Sequence, residues 1–135
     1  MRKLGLDFGD ARIGLAISDP LGIFATGLET YHRKNLESDL QHIANLIKEK
    51  QVDTVVAGLP LNMDGSAGIR VEKTKEFCEK LQEVCDVLVE YLDERLTTVA
   101  AEKMLIEADV RREDRKKVID KVAATIILQS FLDRK

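Results

Sequence analysis

The side chains most able to do chemistry in this chain are carboxylates set where carboxylates are unusual. Asp7 lies inside Leu4-Gly5-Leu6-Asp7-Phe8-Gly9, a stretch that alternates like a strand. Leu4, Leu6 and Phe8 fall on one face. Gly5, Asp7 and Gly9 fall on the other, which carries no bulky neighbour nearby in sequence. Asp is depleted in strands. Glycine beside it lets a phosphate or hydrated metal approach the backbone. The plainer alternative is an Asp that caps a hairpin turn. Asp93 and Glu94 end a later apolar run, and Asp120 lies in the last helical stretch. Three converging carboxylates would repel unless cations lay between them. Oxygen donors without His or Cys suit Mg²⁺ or Mn²⁺. Two such ions about 4 Å apart would hold a phosphodiester, activate the attacking water and stabilise the leaving oxygen. Spacing alone does not bring these residues together, so the fold must.

The elements that would position them are legible from periodicity. Strands are expected at about 3–9, 12–18 and Ile23 to Tyr31, as an antiparallel meander, with Gly27 interrupting the third. Asn35 can cap a helix over 36–49, with Leu36, Leu40, Ile43, Ala44 and Ile47 as its stripe and Glu37 and Asp39 in its first turn. The nearly unbroken apolar run Val52 to Leu59 reads as a strand covered on both faces. A turn-rich loop, Gly58 to Ser66, leads to a helix over about 68–84 that places Val71, Thr74, Cys78, Leu81 and Cys85 on one side. Val87 to Leu92 is a strand. Thr97 or Thr98 caps a helix carrying Ala100, Ala101, Met104, Leu105 and Ala108. The last helix runs from about 114 to 132, with Ile119, Val122, Ala123, Ile126 and Ile127 as its expected buried stripe. On that stripe Asp120 sits roughly 90° from the centre, at the rim. Hairpins followed by helix–strand alternation point to a mixed α/β sheet with helices on both faces. Sites in open α/β sheets form beyond the carboxyl ends of strands. Alternation sends Asp93 and Glu94 to opposite faces, so only one of them could meet Asp7.

Composition narrows the classes. The chain has 135 residues, 44% hydrophobic and 33% charged, the balance of one soluble globular domain over 1–135. Trp is absent and aromatics are 4%, so the core must be aliphatic. The N-terminus reaches Asp7 and Asp10 without a long apolar run, so neither a signal peptide nor a membrane span is expected. Cys78 and Cys85 form no CxxC pair, and His32 and His42 complete no zinc pattern. Buried reduced thiols in a cytoplasmic protein are expected. Net charge −3 counts against nonspecific coating of nucleic acid but not against an enzyme with a local basic rim. The densest basic run is Arg111-Arg112, Arg115-Lys116-Lys117 and Lys121, readable as a solvated helix start or a phosphate contact.

Four segments, GLDFGDARIGLA at 5–16, GLPLNMDGS at 58–66, DERLTT at 93–98 and DKVAATIILQSFL at 120–132, resemble the YqgF/RuvX family of the ribonuclease H-like superfamily, in the family's order and across nearly the whole chain. The resemblance implies a five-stranded mixed sheet in the order 3-2-1-4-5. It implies a metal-dependent nuclease with Mg²⁺ or Mn²⁺, two ions, held by Asp7, Glu94 and Asp120. Glu94 is preferred to Asp93 on the resemblance alone. It also implies substrate contacts from the loop around Asn62, Asp64 and Arg70, and, with the basic run, from Arg95. Gly68-Ile69-Arg70 departs from a family preference for Pro in this loop. The expected role is processing of the 5′ end of pre-16S rRNA, with Holliday junction resolution as the alternative. The partner would be an RNA precursor or branched DNA, and the chain a monomer or homodimer.

Two further classes compete. Asp7-Phe8-Gly9 with Gly14 resembles the first phosphate loop of the actin, sugar-kinase and chaperone ATPase fold, but that fold needs a second domain and a second Gly-rich loop. A non-catalytic nucleic-acid-binding module is the other, against which the intact acidic positions argue.

Overall fold

Leu4, Leu6 and Phe8 drive the first strand into the sheet's centre, because their face meets two helices and the opposite face meets a third. The structure, a computed structural model, describes residues 1–61, 64–94 and 115–134, with 115–120 described as helical backbone. Strands β1 (Arg2–Phe8), β2 (Arg12–Ser18) and β3 (Ala25–His32) form the antiparallel meander. Helix α1 (Leu36–Glu49), β4 (Val52–Leu59), α2 (Ile69–Val84), β5 (Leu88–Asp93) and α3 (Arg115–Leu132) follow. The sheet order is β3-β2-β1-β4-β5, with β4 parallel to both β1 and β5. This is the expected mixed sheet. The helix expected over 97–108 and the basic residues 111–114 lie outside the described residues.

One apolar layer joins Leu4, Leu6, Phe8, Ile13, Leu15, Val55 and Ala57 to Leu40, Ile43 and Ile47 of α1 and to Phe77, Cys78 and Leu81 of α2. The other joins Ala16, Val56 and Leu92 to Ala123, Ala124, Ile127, Leu128 and Leu132 of α3. Asn35 caps α1 as expected, its side chain accepting from the Ser38 N–H at 2.9 Å. The third strand starts two residues later than expected and continues through Gly27, where the ladder shifts register between Leu15 and Ala16 of β2. Cys85 is the C-cap of α2, past the buried stripe, and only half-buried; Cys78 is fully buried, and both thiols are free.

The buried face of α3 differs from the expected one. Ala123, Ala124, Ile127, Leu128 and Leu132 are buried, while Val122 and Ile126 are half-buried. The reason is the sheet surface beneath. A Cβ added to Gly5 would lie 2.7 Å from the Ala124 carbonyl oxygen and 2.8 Å from the Leu128 Cβ. One added to Gly58 would lie 2.5 Å from the Ile127 Cδ1. A helix that approaches glycines this closely presents its alanines, whereas side-chain size had favoured the larger residues one step round. The rotation moves position 120 from the rim to roughly 35° from the centre of the buried stripe, at 100° per residue.

Candidate active site

Asp7 is the penultimate residue of β1, opposite Gly14 of β2. It shares its face with Gly5, the face α3 covers. Leu6 pairs with Ala57 of β4, so the next residues along each parallel strand, Asp7 and Gly58, lie side by side on that face. Glu94 follows β5 directly. Its Cγ lies 3.1 Å from where a Gly58 Cβ would stand. Glycine at 58 therefore leaves the space into which Glu94 folds, beside Asp7, at the carboxyl end of β1 and β4.

The same alternation separates Asp93 from Glu94. Val89 and Tyr91 pack with the α1/α2 layer and Leu92 with the α3 layer. Asp93, paired with Leu59 of β4, continues the α1/α2 side. Glu94 is the member of the pair on the face of Asp7.

The direction of α3 follows from Gln129. Its Oε1 accepts from the Ala25 N–H at 2.8 Å and its Nε2 donates to the Ile23 carbonyl at 2.9 Å. Ala25 pairs with Ser18, whose Oγ accepts from the Lys3 N–H, so the C-terminal half of α3 lies at the amino end of β1. Its N-terminal half runs back toward the carboxyl end, and residue 120 lies one turn before Ala124, in the α3 layer. The side chain of Asp120 is outside the described residues. Among the described residues no three His, Cys, Asp or Glu side chains gather as a metal cluster. Asp7 and Glu94 share one face and one end of the sheet, either side of Gly58, and carboxylates on a glycine-lined surface are a set suited to hard divalent cations.

The expected substrate contacts are less gathered. Asn62 and Arg95 lie outside the described residues. Asp64 shapes its own loop: its Oδ1 accepts from the Ser66 N–H at 2.9 Å and the Ser66 Oγ at 2.6 Å, across Gly65 with φ 88°. Arg70 is exposed in the first turn of α2, in the layer opposite α3. Of the basic run, Lys121 is exposed and lays its stem where a Gly27 Cβ would project.

Sequence reasoning did not single out Arg33 or the part Asp39 plays. Asp39 is fully buried. It accepts from Arg33 Nε at 2.9 Å and from the Lys34 N–H at 3.0 Å. Burial alone would raise its pKa, but the Lys34 N–H, the Arg33 guanidinium and the Tyr31 hydroxyl outweigh that and hold it below the ordinary carboxylate value. A signal existed. Asp39 falls three residues after Leu36 and four before Ile43, on the apolar stripe and not only in the first turn. Beyond these residues, Phe8, Asp10, Arg33, Lys73 and Phe77 line an open groove of about 480 Å³ on the α1/α2 side of the same sheet end.

The family model described as "RuvX: Holliday junction resolvase" matches residues 1–134. The chain belongs to the RuvX family. Among curated relatives of this RuvX chain, one from Halothermothrix orenii named "Putative pre-16S rRNA nuclease" is 56% identical over 133 residues, covering 98% of this chain and 95% of the relative. One of the same name from Clostridium botulinum (strain Hall) is 52% identical, covering 98% and 97%. Among solved structures, Thermus thermophilus RuvC in complex with a Holliday junction substrate aligns with TM-score 0.61 at 12% identity, over 99% of this chain and 95% of that one. The fowlpox virus Holliday junction resolvase aligns with TM-score 0.60 at 14% identity, over the whole of both chains. At such identities the likeness is one of fold, and that fold is ribonuclease H-like.

Proposed function

We propose that this RuvX chain is a metal-dependent nuclease that hydrolyses phosphodiester bonds in processing the 5′ end of pre-16S rRNA. The observation that carries the reading is that Glu94 reaches over Gly58, the strand neighbour of Asp7, on the same face and at the same end of the sheet. The names of relatives at 52% and 56% identity support the substrate class.

In this reading Asp7, Glu94 and Asp120 hold two divalent cations, Mg²⁺ or Mn²⁺. When bound, the ions supply a water activated for in-line attack and charge stabilisation at the leaving oxygen. The protein's part is to hold like-charged carboxylates together before the cations arrive, which β-pairing and the packing of α3 do at fixed backbone positions. Gly5 and Gly58 keep the surface beneath them open. Arg70 and Arg95, with Asn62 and Asp64, contact substrate phosphates and bases from the loop side. The work site is the cytoplasm, and among the described residues no helix is long and apolar enough to cross a membrane.

The test is cleavage of a labelled pre-16S rRNA 5′ segment and, separately, a four-way DNA junction, each with Mn²⁺, Mg²⁺ or chelator. Metal-dependent cutting of the RNA alone is expected. Asp7→Asn is expected to lose more than about a hundredfold in rate, beyond the range for losing an outer-shell partner, with an unchanged circular dichroism spectrum. Full activity in that variant would overturn the metal-site assignment. Symmetric paired nicks in the junction would make the chain a resolvase, a reaction that needs a two-fold dimer.

A further inference from the structure

We propose that Arg33 is a positioning residue for Asp7: it clamps the β1–β2 turn, and the buried Asp39 holds it in place. The proposal rests on the reading of Asp7 as a metal-holding carboxylate. The ladder between β1 and β2 ends at the pair Phe8 and Ile13, one residue after Asp7. Beyond it the turn leaves the β1–β2 ladder, and its carbonyls need hydrogen-bond donors from elsewhere. Arg33 supplies three in a row. Its backbone N–H donates to the Ala11 carbonyl at 2.9 Å. Its Nη1 donates to the Gly9 carbonyl at 3.2 Å and the Asp10 carbonyl at 3.3 Å.

Each of these peptides is planar and trans, so directing a carbonyl also directs the N–H that follows it. Three directed carbonyls therefore set the orientation of the whole turn. The clamp itself is constrained. A guanidinium is a rigid planar fork, and its Nε edge is taken by Asp39, which is fully buried and bonded to the Lys34 N–H and Tyr31. The Cζ of Arg33 lies 4.6 Å from the centre of the Phe8 ring, next in sequence to Asp7. Phe8 in turn packs on Phe77, ring centres 4.8 Å apart. The turn is already tight, since a Cβ on Gly9 would lie 2.7 Å from the Arg12 carbonyl oxygen. Arg33 thus fixes Asp7 from its C-terminal side while the ladder fixes it from the other. An exposed Lys73–Asp10 pair at 3.3 Å also touches the turn, and pairs of that kind contribute little.

The experiment compares wild type, Arg33→Ala and Arg33→Lys by amide hydrogen exchange on the metal-free protein and by RNA cleavage across a Mn²⁺ titration. In Arg33→Ala the amides of residues 9–12 are expected to exchange roughly tenfold faster or more, while those of β4 keep their protection. The kcat is expected to fall about tenfold or more and the Mn²⁺ midpoint to rise, with KM within about twofold, the range for an outer-shell loss. Arg33→Lys keeps the charge toward Asp39 but not the fork, and is expected to fall between the two. Wild-type exchange in the 9–12 turn of Arg33→Ala overturns the proposal. So does a loss confined to KM, which would make Arg33 a substrate contact. Uniformly faster exchange in both variants overturns it too, as the mark of a merely structural role. If wild type cleaves nothing with any metal, the nuclease reading fails, and the exchange data still decide the clamp.

Discussion

Asp39 is a charge with no water around it, and its neighbours determine what that costs. A buried pair broken by removing one partner costs about 3–5 kcal/mol. Asp39→Asn keeps shape and some hydrogen bonds, so a loss of about 2–3 kcal/mol at neutral pH is expected, at or just below the lower bound of that range. The sign with pH follows from the lowered native pKa. The carboxylate's contribution is complete above its unfolded value near pH 4 and disappears as pH falls through the lower native value. Urea midpoints should therefore differ by a constant amount above about pH 5, and converge as pH drops below about 4. A gap that stays constant to pH 3 would show that folding does not lower the Asp39 pKa. Asp7 and Glu94 belong to the same scale. Their residue types made them candidates in the sequence, but the choice of Glu94 over Asp93 acquires a physical reason only from the face of Leu92 and the space left by Gly58.

At the scale of elements, the contact of α3 with the sheet decides the geometry of the site. Gly5 and Gly58 are both close to that helix, but what an added methyl meets differs. At 5 it meets the backbone oxygen of Ala124 at 2.7 Å, in a helix turn that cannot yield locally. At 58 it meets the far end of Ile127, which can turn away, and the Glu94 Cγ at 3.1 Å. Gly5→Ala should therefore cost stability, about 2–3 kcal/mol in the upper range for overpacking, by lifting α3. Gly58→Ala should cost about 1 kcal/mol, near the lower end of that range, yet reduce cleavage more than Gly5→Ala does relative to its stability loss, because Glu94 must move. Denaturation midpoints read beside initial rates check both. The reverse ranking would mean that α3 moves freely on the sheet. Most elements were legible from periodicity and caps, as with Asn35 before α1. The face of α3 was misjudged by one step, since apolar periodicity weighs side-chain size and carries no record of a glycine-lined partner surface.

The molecule as a whole is two apolar layers on one sheet, and its thiols report on each state differently. Cys78 lies wholly inside the α2 side, where burial foremost pushes its pKa to about 12. Cys85 is half-buried at the end of α2, its thiol raised by burial and by nearby Asp86. A thiolate-directed reagent at neutral pH should label Cys85 of the native chain faster than Cys78, though more slowly than an exposed thiol. Labelling of Cys78 should wait on global opening and slow as stability rises. Equal rates at the two sites would mean that α2 opens by itself. The expectation of two buried thiols thus holds at 78 and is corrected at 85, where the helix ends and its C-cap turns the chain outward.

By itself the sequence determined most of the described elements, the mixed sheet with helices on both faces, and which carboxylates are candidates for hard cations. These follow from period, capping and residue chemistry, all properties local to a short stretch of chain. The strand order came from the resemblance and is matched by the observed β3-β2-β1-β4-β5 sheet. Tertiary structure alone decided which face of α3 meets the sheet and which of Asp93 and Glu94 lies on the face of Asp7. It also decided that Arg33 reaches back 24 residues to the turn beyond Asp7. Each of those depends on where two distant surfaces come within a few ångströms, and a contact at that range depends on both partners at once.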